Sequence, residues 1–147
     1  MFFNALMASV AAIGFSIIFK VPTRFLKIIA IMSFFGFLMR EYSSNLGFGI
    51  EISTLFAAIV IGILGGYFSG KFKVPAQVLT ISSAVPMIPG TISFKAIESL
   101  INFISNKDPS PVLLTSFIYL SAKAIFILGA LAFGITVFTM VFRPKLK

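Results

Sequence analysis

The chain has 147 residues, 59% of them hydrophobic and 11% charged, with a mean hydropathy of +1.08. A soluble domain carries about a quarter charged residues, so this composition excludes one and points to an all-α integral membrane protein. The net charge of +8 does not mark a nucleic-acid partner, because the cations stand at the ends of apolar runs, where they orient a membrane chain. With no Cys and no His, disulfides, thiolate nucleophiles and the commonest metal ligand and general base are all missing. No catalytic residue, metal or cofactor is expected.

At 1.5 Å per residue, about 20 residues cross the hydrocarbon, and five segments reach that scale. The first, 2–19, is apolar from its start. Its first cations, Lys20, Arg24 and Lys27, follow it rather than precede it, so it reads as a retained span and not as a signal peptide. The second runs from 22 to 40, with Pro22 at its first turn and Arg24 and Lys27 snorkelling back to the interface. The third is 52–70, the fourth 75–94, and the fifth 112–142. Between the last two, residues 96–105 place Ile97, Leu100, Ile101 and Ile104 at helical spacing, the pattern of a short interfacial helix. All of this forms a single transmembrane domain, 1–147.

Charge supports the count. Alternating sides gives one face Lys20, Arg24, Lys27, Lys71, Lys73, Arg143, Lys145 and Lys147, and the other Arg40, Lys95 and Lys107, with Lys123 inside the fifth span. The cation-rich side is expected to be cytoplasmic, placing the N-terminus outside and the C-terminus inside.

FKVP occurs twice, at 19–22 and 72–75. It reads either as a parallel internal repeat or as two similar turns, each needing an anchor, a cation and a proline at a helix start. Small residues recur every fourth position: Gly62, Gly66 and Gly70 in the third span, and Ala8, Ala12 and Ser16 in the first, with Ala130 and Gly134 in the fifth. That spacing puts them on one helix face, where backbones approach closely. These are expected packing seams, with surface to spare for a partner, including a second copy.

The fourth span holds three helix breakers, Pro86, Pro89 and Gly90, within VPMIPG. In an unbroken helix the two prolines would leave the carbonyls of Ser82 and Val85 without donors. Such backbone persists at membrane depth only when buried in protein or lining a wet cavity, so a cavity is expected here. Gln77, Ser82 and Ser83 before the break and Thr91 and Ser93 after it supply polar lining, and Thr91 or Ser93 is expected to cap the restarted helix. A broken helix offers carbonyls to an ammonium and a positive helix end to a carboxylate, which suits a small zwitterion. The competing reading is a proline kink whose carbonyls are met by neighbouring hydroxyls. Lys123 is either a snorkelling cation or a carboxylate-binding one. Paired with Lys95 at the cavity it would suit a dicarboxylate.

FKVPTRFLK (19–27) and VPAQVLTISSAVPMIPGTISFKAI (74–97) resemble the threonine/serine exporter family in its split form, where a small membrane subunit works with a larger one. The resemblance implies a bacterial inner-membrane exporter of small hydrophilic metabolites, coupled to the proton gradient. Threonine/serine-type amino acids are the first expected substrates and succinate the alternative. It carries over only Pro86, Pro89 and Gly90. A non-transporting scaffold or assembly subunit is the rival class.

Overall fold

A computed structural model describes residues 1–105 and 110–142. Lys107, Arg143, Lys145 and Lys147 of the charge balance lie outside those residues. Six α-helices and no strand are present among the described residues: α1 Phe2–Ile18, α2 Leu26–Asn45, α3 Ile50–Phe72, α4 Ala76–Ala84, α5 Gly90–Ser105 and α6 Pro111–Val141. Of these, α3 and α6 are long and apolar enough to cross a membrane, while α1 and α4 are apolar but shorter.

The turns explain the boundaries. α1 and α3 both end in Ser-x-x-Phe-Lys-Val-Pro, and in both the lysine adopts the left-handed conformation, φ 56° at Lys20 and 52° at Lys73. The next N–H then folds back, from Val21 to the Ser16 carbonyl at 2.9 Å and from Val74 to the Ser69 carbonyl at 3.2 Å. This is the six-to-one bond of a Schellman cap. The proline that follows is extended in each case, with ψ 134° at Pro22 and 130° at Pro75. Both FKVP segments thus form the same capping turn. A left-handed lysine costs roughly 1–2 kcal/mol relative to glycine, and glycine's extra freedom in the unfolded chain returns about 0.5–1 of that. Lys73→Gly is accordingly expected to raise stability in detergent by about 0.5–1 kcal/mol, seen as a higher melting temperature.

Two boundaries differ from the sequence reading. A 3-10 turn, Thr23–Phe25, precedes α2, which then continues past Arg40 to Asn45. It stops only where Gly47 takes φ +92°, a conformation open chiefly to glycine. The fourth segment does not end at 94 before a separate helix: α5 runs unbroken from Gly90 to Ser105, because no breaker stands between Thr91 and Ser105.

α2, α3 and α4 surround the core, where Ile29, Met32, Ile61, Leu79 and Met87 are fully buried. α1 closes one side through Ala5, Ala8, Ala12 and Ser16, and the Ser33 hydroxyl of α2 donates to the Ala8 carbonyl at 3.3 Å. α3 and α6 run parallel along a small-residue seam. A Cβ on Gly62 would meet the Gly134 carbonyl oxygen at 2.9 Å, and one on Gly66 the Thr139 carbonyl oxygen at 3.1 Å. Thr139 Oγ1 donates to the Gly62 carbonyl at 3.3 Å. Gly70, the third member of that spacing, is half-buried. Gly65 faces another way, under the methyl group of Thr80 on α4. The seam sets α6 in register with α3, so that Lys123 stands beside Glu51 in the first turn of α3. Residues 111–122 of α6 consequently extend beyond α3, by about 18 Å at helical rise, and α5 packs along α6.

Candidate functional site at the helix break

α4 ends at Ala84 and passes into a 3-10 turn, Val85–Met87, followed by extended Ile88 (ψ 133°) and then α5. Pro86 sits in the 3-10 element that directly continues α4, and its missing N–H cannot serve the Ser82 carbonyl four residues back. Pro89 prevents the helix from resuming until Gly90. The backbone groups are largely satisfied locally. The Ile88 N–H donates to the Val85 carbonyl at 3.1 Å, and the Gly90 N–H to the Ile88 carbonyl at 2.8 Å. The Val85 carbonyl, expected to lose its donor, thus keeps one through the tighter turn.

Met87 anchors the break. Its side chain is fully buried and reaches the surface of Gly36 beside Ile61. Its carbonyl turns the other way and accepts from Arg40 Nη1 at 3.4 Å.

Outside this turn lies a cavity of about 520 Å³ whose lining includes Phe37, Arg40, Glu41, Ser44, Pro86, Ile88, Pro89, Gly90 and Thr91. Pro86, Pro89, Gly90 and Thr91 stand in its wall. Its charged residues come from α2. Arg40 is half-buried, with its guanidinium 5.9 Å from the Phe37 ring centre. The Glu41 carboxylate is held by α1, accepting from Asn4 Nδ2 at 2.6 Å and lying 3.3 Å from the Met1 amino group.

The other sequence candidates lie elsewhere. Ser82 and Ser83 are buried and bond back to the carbonyls of Val78 at 3.4 Å and Leu79 at 2.7 Å. Ser83 also donates to the Ile29 carbonyl of α2 at 3.3 Å. Gln77 and Ser82 face a different cavity of about 460 Å³ near the Lys20 turn, lined also by Phe19, Val21, Pro22 and Ile81. Val85 is half-buried beside the break. Ser93 does not cap α5, since its hydroxyl donates to the Pro89 carbonyl at 2.9 Å. Lys123 Nζ lies 3.6 Å from Glu51 Oε1 and 5.6 Å from the Tyr119 ring centre and does not line the break cavity. Lys95 is exposed and does not line that cavity either.

Arg40, Glu41 and Ser44 escape a sequence reading because Arg40 ends an apolar run and looks like a topology signal. The available hint was the adjacent Arg-Glu pair, placed by the expected spans on the same side as the break.

Residues 4–141 match the family model described as Threonine/Serine exporter, ThrE. The chain belongs to the threonine/serine exporter family. It is 33% identical over 133 residues to an uncharacterized protein of Haemophilus influenzae, a match covering 90% of this chain and 44% of that relative. The chain thus spans less than half the length of this relative. No solved structure matches. That family is one of exporter-type membrane proteins.

Proposed function

We propose that the chain is the membrane subunit of a two-component exporter of threonine/serine-type amino acids in the bacterial inner membrane. In this reading there are five spans. α4, the break and α5 together make the fourth, and the N-terminus is outside and the C-terminus cytoplasmic. The observation that carries it is the cavity at the break, where one guanidinium, Arg40, and one carboxylate, Glu41, stand in the same wall. That balance fits a zwitterion. A dicarboxylate would be better served by a second cation, but neither Lys123 nor Lys95 lines the cavity. A scaffold would need the α3–α6 seam but no cavity beside interrupted backbone. The larger membrane subunit is what the resemblance to the split form of the family implies.

The test is to purify the chain with whatever membrane protein co-isolates and to load vesicles with either threonine or succinate. Threonine efflux is expected to exceed succinate efflux, and to disappear when the co-isolating protein is removed. Preferential succinate efflux would replace the amino-acid reading, and full activity of the chain alone would remove the second subunit.

A further inference from the structure

The guanidinium at the break has more donors than the protein uses. Arg40 offers five N–H groups in a planar fork. Among the described residues its hydrogen bond is the one from Nη1 to the Met87 carbonyl. At 3.4 Å that bond lies beyond the usual N–H···O range. Glu41, its neighbour in sequence, forms no ion pair with it. Its carboxylate is turned to Asn4 and the Met1 amino group instead. By contrast, Lys123 has its acid at 3.6 Å. Arg40 therefore presents a charged fork to the cavity while its position is fixed by the α2 backbone and the Phe37 ring.

We propose that Arg40 is the carboxylate-recognition residue of this cavity, taking the carboxylate of the transported solute in a two-pronged hydrogen bond. The inference rests on the exporter reading and assigns the ligand contact within it. The planar fork matches a carboxylate in both spacing and charge, which a lysine ammonium does not. A cavity of about 520 Å³ is in the range of small-molecule sites. The hydroxyls of Ser44 and Thr91 in its wall remain for the polar remainder of an amino acid. Geometry adds a consequence. The atom that holds Arg40 in the free protein is the carbonyl of Met87, inside the break. Nη1 can keep that carbonyl while Nε and Nη2 take a solute carboxylate side-on, so solute binding and the tether between α2 and the interrupted segment are compatible.

The experiment uses the purified chain with its co-isolating partner, wild type against Arg40→Lys and Arg40→Gln. Binding of threonine, and of threoninol, which lacks the carboxylate, is followed by calorimetry. Efflux from threonine-loaded vesicles is measured in parallel. Wild type is expected to bind threonine and to bind threoninol far more weakly. Both variants are expected to lose threonine affinity by about ten- to a hundredfold, the range for a hydrogen bond to a charged group, while keeping the weak threoninol binding. In efflux, Arg40→Lys is expected to raise the half-saturating concentration more than it lowers the maximal rate. If the variants melt lower and transport more slowly at unchanged threonine affinity, Arg40 only braces the break and the proposal is overturned. Equal threonine and threoninol binding in wild type overturns it as well. Wild type that binds threonine through Arg40 but exports nothing would refute the exporter reading and leave the contact standing.

Discussion

Gly62→Leu is expected to separate α6 from α3 and to destabilise the chain by about 3 kcal/mol, the upper end for overpacking a close contact. A Cβ at residue 62 would lie 2.9 Å from the Gly134 carbonyl oxygen, 3.0 Å from Phe138 Cβ and 3.1 Å from the Ile135 carbonyl oxygen. Two of those three are backbone atoms of a helix, which cannot rotate away as a side-chain tip can. Leucine adds three further carbons to that Cβ, so the two helices must move apart along their whole seam. The bond from Thr139 to the Gly62 carbonyl would go with it. In a bilayer the separated faces are not driven back together by water, because packing and hydrogen bonds supply most of the attraction there. Gly129→Ala is the matched control: a Cβ there meets nothing within 4 Å, and alanine gains up to about 1 kcal/mol over glycine in a helix. Unfolding in detergent should place Gly62→Leu well below wild type and Gly129→Ala at or above it. Coincident melting curves would mean that the seam does not hold the fold.

The period-four glycines were legible because spacing alone fixes which residues share a helix face. The break was legible because proline cannot donate a hydrogen bond in any surroundings. Serines 82 and 83 were not. A hydroxyl in a sequence looks equally ready for water or for a carbonyl four residues back, and in a tightly packed helix the carbonyl is closer. Thr80 does the same, donating to the Ala76 carbonyl at 3.1 Å. Polarity before the break therefore served the helix and left the cavity to be furnished from α2. The ends of α2 and α5 were misjudged for a related reason. A hydropathy run measures the part of a helix that suits lipid, whereas the helix itself ends only at a breaker. Between Met39 and Gly47, and between Phe94 and Ser105, the chain turns polar without one. Arg40 thus sits within α2, which continues to Asn45, and its guanidinium reaches the Met87 carbonyl of the interrupted segment.

The second large effect is expected from Pro86→Ala combined with Pro89→Ala, which should reduce efflux at least about tenfold, equivalent to about 1.4 kcal/mol, without lowering expression. Each proline disfavours a helix interior by about 3 kcal/mol relative to alanine, so together they account for up to about 6 kcal/mol of the preference for the interrupted form. What opposes rejoining α4 to α5 is the seat of Met87 against Gly36 and Ile61. Burying one such side chain is worth about 1.5–3 kcal/mol, and the Arg40 tether at 3.4 Å adds little. With both prolines replaced, the continuous helix from Ala76 to Ser105 is no longer penalised, and the interrupted form keeps only the Met87 seat and the packing of α5 along α6, so the balance is expected to shift toward rejoining. Ile88 would leave its extended conformation, and the wall formed by Pro86, Pro89 and Gly90 would be redrawn. Pro75→Ala is the control, because Pro75 stands at the N-cap of α4, outside the run of hydrogen bonds, and it should leave efflux within about twofold, under 0.5 kcal/mol. The double variant should also protect the amides of residues 85–90 against hydrogen exchange, which separates a rejoined helix from a misfolded chain. Protected amides with undiminished efflux would mean that the interrupted backbone is not part of the solute's route, and the scaffold reading would then account for this chain better than the exporter one.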